Sequence, residues 1–381
     1  FEFAFSANFA ARPQETIAAQ GRLRVASPSV NLTPPTFRDV LRAWPVVHRH
    51  LSRTPLYRYP LLSARLGFDA FVKHENHLPI GAFKVRGGVN LFANLSDAER
   101  RRGVVTATRG SHGLSMAWAA RHFGSRAVIY VPKRNNPEKN AIMQAMGAEL
   151  CEHGDDFDEA FEEATCRAEN EGMRYVHVAN DPLLIAGVGT YAMEIAEDLP
   201  DCDVVIVPVG GGSGLAGTVL TLRTLRPDIE IVGVWSERAD ALYRSLEKGE
   251  MVSVDASDTF ADGLATRTAF EVPFNIVKDN VDRMVRVSED EMRMAVRMAL
   301  ETTHNVAEGA AAAAYAAAAL NHGRTAGFEY ENIAQKNPTL QAWISNNKRL
   351  RRAPRTGSPR VEGLDSSPYH APLRRSDAHE H

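Results

Sequence analysis

Between Thr36 and Leu320, short apolar runs rich in β-branched residues alternate with longer segments of helical period. The runs at 70–73, 103–107, 127–131, 175–178, 204–209 and 231–234 predict strands. The segments 111–123, 137–146, 157–171, 186–199 and 215–225 predict the helices between them. Strands alternating with helices in this way predict parallel sheets with right-handed crossovers, covered on both faces. Two further helices are expected at 288–303 and 307–320, the first opened by a Ser288–Glu291 capping box. The alanine-rich run 310–319 reads as a packed helix on propensity. The pattern lapses at both ends. Residues 1–35 read as a loose arm, and 321–381 as an atypical, largely disordered tail whose last part is rich in Arg, Pro, His and Ser.

Composition narrows the classes. Of 381 residues, 44% are apolar and 24% charged, which suits one large or two moderate globular domains. A formal net charge of -3 supplies no drive toward nucleic acid or an anionic membrane. No stretch approaches the ~20 apolar residues of a membrane helix. The apolar start, Phe1 to Ala10, lacks the charged flank of a secretory signal. Cys151, Cys166 and Cys202 form no pairing or C-x-x-C pattern, so free thiols in a reducing compartment, the cytoplasm, are expected. No metal site is expected either.

Two segments carry chemistry. The first runs from the strand at 204–209 into Gly210-Gly211-Gly212-Ser213-Gly214 and then into a helix. Glycines let several N–H groups converge, and a helix start adds partial positive charge, so the turn predicts a phosphate cradle. The same residues contain the dinucleotide fingerprint Gly212-x-Gly214-x-x-Gly217, with Glu237 near the place of a ribose-binding acid. A nicotinamide-dependent dehydrogenase therefore competes at this point, although the fingerprint comes late in the chain. The second segment is Gly81-Ala82-Phe83-Lys84-Val85-Arg86-Gly87-Gly88. Lys84 falls at a predicted helix start. The positive helix end and partial burial would both lower its pKa and favour a nucleophilic amine. By spacing alone, a solvated surface lysine is the stronger reading of Lys84, since lysine usually sits there.

Taken together the segments resemble the fold-type II pyridoxal-phosphate enzymes, specifically the threonine dehydratase and serine racemase family. The likeness runs from about Thr54 to Leu320. It includes Thr54-Pro55-Leu56, the Lys84 segment, Ala107-Thr108-Arg109-Gly110-Ser111-His112-Gly113 and Ala186-Gly187-Val188-Gly189-Thr190. The glycine turn, Ala261-Asp262-Gly263-Leu264-Ala265 and Val306-Ala307-Glu308-Gly309-Ala310 complete it in order. The resemblance implies an α/β fold of two three-layer α/β/α lobes with mainly parallel sheets, as in the tryptophan synthase β-like group. It implies a large cofactor domain, 36–103 plus 183–320, and a smaller inserted domain, 104–182. It further implies pyridoxal 5'-phosphate as cofactor, a small amino acid as substrate and a homo-oligomeric state.

The resemblance also implies roles. Lys84 would carry the cofactor as a Schiff base and move the substrate's Cα proton. Phe83, Ser111 and Glu308 would line the cofactor, and Gly210, Gly211, Gly212, Ser213 and Gly214 would hold its phosphate. Ser111, His112 and Gly113 would receive the substrate carboxylate at a helix start. The implied reaction is β-elimination from threonine or serine to a 2-oxo acid and ammonia.

Four departures qualify it. Ser111 replaces the usual Asn beside the ring hydroxyl, and Arg109 stands where racemases place a serine acid/base, which disfavours racemisation. Trp235 and Ala241 replace carboxylates that bind a divalent cation in some relatives. The Ser-Gly-Gly-Asn turn that contacts the pyridine nitrogen has only a faint echo after Leu320, in Trp343-Ile344-Ser345-Asn346. A lyase for another β-hydroxy amino acid, such as hydroxyaspartate or a hydroxyectoine product, and a weak or silent cofactor-binding homologue are the alternatives. Isoleucine-type feedback control is not expected, for want of a regulatory segment.

Overall fold

The computed structural model describes residues 33–320. The tail, the first 32 residues of the arm and Ser345 lie outside them. Two parallel sheets organise the described chain. The first contains β3 (Val104–Ala107), β4 (Ala127–Val131), β5 (Glu149–Glu152) and β6 (Arg174–Tyr175), in the order β5-β4-β3-β6. The second contains β7 (Val204–Pro208), β8 (Glu230–Ser236) and β9 (Arg283–Val287), in sequence order. A short antiparallel pair, β1 (Leu56–Arg58) with β2 (Phe71–Lys73), stands apart.

Strand periodicity splits the apolar residues between two faces of each sheet. In the first sheet Val104, Ala127, Ile129 and Val131 enter one core, while Val105, Ala107, Val128 and Tyr130 enter another. The former core is closed by helices Ser111–His122 and Pro137–Ala145, the latter by helix Phe157–Glu171. In the second sheet Val205, Val207, Ile231 and Trp235 pack against helices Thr190–Asp198 and Ser213–Leu225. Val232, Val234 and Val287 pack on the other side, against helices Glu289–Thr303 and Gly309–Leu320. Each sheet is therefore the middle of three layers. Strands buried on both faces read as continuous apolar runs, which is why β3, β4 and β8 were visible in the sequence.

Three expectations change. The helix expected at 186–199 is two helices, Pro182–Val188 and Thr190–Asp198, meeting at Gly189. Asp181 caps the first by accepting the Leu183 N–H at 2.9 Å, and Pro182 fits its first position. The helix expected from Leu215 begins at Ser213, on the glycine turn itself. The strand expected at 175–178 stops after Tyr175. Val176 still donates to Val105 O at 2.9 Å, but the chain then turns, because His177 Nδ1 accepts the N–H groups of Ala179 and Asn180. The Ser288–Glu291 capping box forms as expected.

Glycines bring the site's helices together. A Cβ on Gly87 would stand 2.8 Å from Leu184 O, and one on Gly187 would stand 2.6 Å from Arg86 O. Helix Lys84–Ala93 thus lies directly on helix Pro182–Val188, an approach that side chains would forbid.

Candidate active site

Lys84 opens helix Lys84–Ala93 and is half-buried. Burial pushes its amine down to about 8. Desolvation makes the amine easier to deprotonate. Its carbonyl accepts the Ser115 hydroxyl at 2.8 Å, which ties it to helix Ser111–His122. Two residues on, Arg86 is fully buried and anchors the segment: its guanidinium reaches Glu75 at 2.7 Å and Glu194 at 2.6 Å. Glu194 also receives Lys73 at 2.6 Å and His48 at 2.8 Å. Burial pushes Glu194 upward, but hydrogen bonds and charge from Arg86 and Lys73 win and hold it at about 2.

Phe83 links this lysine to the glycine turn. The Lys84 Nζ lies 5.6 Å from the Phe83 ring centre. A Cβ on Gly214 would stand 3.2 Å from the edge of the same ring. Tyr191 braces the turn by donating to Gly214 O at 3.0 Å. The turn needs glycine for steric reasons at two points. Gly212 has φ of 90°, and a Cβ on Gly210 would meet Gly263 O at 2.3 Å. Among the described residues, the N–H groups of Gly211, Gly212, Ser213 and Gly214 have no backbone acceptor. They stand at the start of a 13-residue helix, which is the arrangement an anion binds.

The turn at 109–113 supplies a third wall. The Gly113 N–H is already donated to Gly110 O at 2.9 Å, and a Cβ there would strike Met143 Sδ at 2.4 Å. Gly113 is thus a packing position, while the Ser111 and His112 N–H groups have no backbone acceptor among the described residues. Ser111 is half-buried. His112 is buried, with Nε2 3.0 Å from Thr106 Oγ1. Burial first, then the charges of Lys84 and His177, hold its pKa well below the ordinary value, so the ring is neutral. Arg109 is exposed, and Glu308 is half exposed, 4.0 Å from Lys139 Nζ.

Sequence reasoning missed His177. Burial pushes this ring down to about 4. It stands edge-on to Phe270 at 4.9 Å, and Phe270 in turn lies against Gly211. Its motif-free setting and its placement in an expected strand hid it. Trp235 and Ala241 are both fully buried, and among the described residues no group of three His, Cys, Asp or Glu side chains is placed to hold a metal.

A buried amine beside an anion cradle, on an α/β frame, defines an enzyme that carries a phosphorylated aldehyde cofactor on lysine. The pyridoxal-phosphate dependent enzyme family matches residues 47–330, and the chain belongs to that family. It is 39% identical to the L-threonine ammonia-lyase of Thermotoga maritima over 282 residues, 74% of this chain and 70% of that protein. Threonine deaminase isoform 2 of Solanum lycopersicum, in its processed form, superposes with a TM-score of 0.71 at 31% identity, over 78% of this chain and 90% of its own. The serine racemase of Dictyostelium discoideum gives 0.70 at 29%, over 75% and 92%.

The residues fit pyridoxal phosphate. Its aldehyde needs an amine that loses its proton readily, and its phosphate needs unsatisfied N–H donors. Lys84 and Gly211–Gly214 offer these, and Phe83 adjoins both.

Proposed function

We propose that the chain is a threonine/serine ammonia-lyase, and that Lys84 and the glycine turn meeting at one ring, Phe83, is the observation that carries this reading. When bound, pyridoxal phosphate withdraws electrons from the substrate's Cα and acidifies its proton. Lys84 Nζ takes that proton, a task suited to an amine held at about 8. The Cα–H electron pair forms a Cα=Cβ bond, the Cβ–O bond breaks, and the hydroxyl departs with a proton as water. Addition of water and loss of the amine as ammonia give 2-oxobutanoate from threonine or pyruvate from serine. The N–H groups of Ser111 and His112 hold the substrate carboxylate, and those of Gly211–Gly214 hold the phosphate. Ser111, Phe83 and Glu308 line the cofactor.

Arg109 supports elimination over racemisation, since a guanidinium that stays charged is a poor proton shuttle. The three cysteines are free, which supports a cytoplasmic location. No helix among the described residues is long and apolar enough to cross a membrane. A homo-oligomer is part of the proposal, by likeness to the family.

The test uses protein purified with pyridoxal phosphate. Borohydride should bleach its visible band and leave the label on Lys84, and L-threonine or L-serine should yield a 2-oxo acid. A colourless protein that binds no cofactor would overturn the reading. A coloured protein that releases no 2-oxo acid would favour the silent homologue, which the sequence after Leu320 motivates.

A further inference from the structure

We propose that His177 reads the side-chain hydroxyl of the bound amino acid, its Nε2–H donating a hydrogen bond to that oxygen. This rests on the lyase reading and narrows it to β-hydroxy substrates.

The tautomer follows from geometry. His177 Nδ1 accepts the N–H of Ala179 at 3.2 Å and of Asn180 at 3.1 Å. A ring nitrogen that accepts two N–H groups carries a lone pair, so in the neutral ring the proton is on Nε2. Desolvation keeps the ring neutral. Among the described residues that Nε2–H has no protein acceptor, and the half-buried ring leaves it open to an incoming group.

Aromatic rings flank the imidazole. Phe270 meets it at 4.9 Å and 80°, Phe161 at 6.4 Å and Tyr175 at 6.5 Å. Its neighbours place it on the site. Phe270 packs against Gly211 of the phosphate turn. On the other side, the carbonyl of Val176, the residue before His177, accepts the Thr106 hydroxyl at 2.8 Å, and that hydroxyl lies 3.0 Å from Nε2 of His112 at the carboxylate turn. An amino acid held between Lys84 and the carboxylate turn would stand beside this ring. A neutral N–H donor suits a hydroxyl and gives a leaving chloride little.

His177→Asn separates the two roles of the ring. The Asn Oδ1 can still accept the Ala179 and Asn180 N–H groups, as in an Asx turn, while the Nε2–H is lost. The holoenzyme and this variant are compared for the visible cofactor band and for kcat/KM on L-threonine and on β-chloro-L-alanine. The expected result is an unchanged band, a loss of about tenfold on L-threonine and a change within about twofold on β-chloro-L-alanine. Equal losses on both compounds, or no loss on L-threonine, would overturn the assignment. Wild-type holoenzyme that leaves both compounds untouched overturns the lyase reading itself, and this assignment with it.

Discussion

The guanidinium of Arg86 meets the carboxylate of Glu194 at 2.6 Å, with neither side chain exposed. Glu75 closes on the other edge at 2.7 and 2.8 Å, and the Thr54 and Thr190 hydroxyls complete the shell at 3.3 Å. This cluster joins residues that the chain separates by more than a hundred positions. It fixes the helix on whose first residue the amine sits.

Removing the guanidinium tests that claim. Arg86→Met leaves Glu75 and Glu194 without their main partner. The loss of a buried ion partner costs about 3–5 kcal/mol. Urea unfolding of the apoprotein should show a fall in unfolding free energy of that size, read as a lower midpoint at unchanged slope. A shift of about 1 kcal/mol or less, as for a surface pair, would mean that the cluster does not anchor the helix.

Lys84 sets the pH dependence of cofactor capture. Its amine is lowered to about 8 by burial, and only the neutral form attacks an aldehyde. The rate at which apoprotein develops the visible band should therefore climb as pH rises through about 8 and then level off. A lysine with the ordinary value of about 10.4 would keep climbing well beyond that. Lys84→Ala should abolish the band and lower turnover by at least about 10²-fold, the lower end of what a positioned base supplies.

The sequence made some of this legible and concealed the rest, for physical reasons. Central strands such as β4 are buried on both faces, so their apolar runs stand out. The edge strands β5 and β9 carry Glu149, Glu152, Arg283 and Arg286, and their polar sides broke the pattern. Lys84 and the glycine turn were visible because their chemistry needs particular residue types at fixed spacing. The role of Gly113 in packing was not, since the Met143 and Thr108 side chains that exclude a Cβ there meet it only in the folded chain. His177 was concealed more deeply: its function depends on which ring nitrogen its own loop engages.

The glycine turn should be intolerant of even one methyl group. A Cβ on Gly210 would lie 2.3 Å from Gly263 O, a backbone atom that cannot swing aside. Overpacking of this kind costs about 1–3 kcal/mol. In Gly210→Ala the strain falls on the N–H groups that face the phosphate. The dissociation constant for pyridoxal phosphate should rise by about tenfold or more, with far-UV circular dichroism unchanged. Wild-type affinity in this variant would show that the turn is not the cradle.

His177 also predicts how the fold responds to acid. Its folded-state pKa is about 4, below the ordinary 6.5, because burial penalises the charged ring. As pH falls below about 6.5 the unfolded chain takes up a proton that the folded chain refuses. Stability is therefore intact above that pH, declines as pH falls from about 6.5 to about 4, and changes no further from this group below it. The contribution at stake is up to about 3 kcal/mol for a shift of this size. His112, also held well below its ordinary value, acts in the same direction. In His177→Asn the group is gone while the loop's N–H acceptor is retained. The stability difference between wild type and this variant should accordingly shrink or reverse in urea unfolding at about pH 5 compared with about pH 7. If the two proteins instead lose stability in parallel over that window, His177 is not held neutral by its surroundings, and its fixed Nε2–H goes with it.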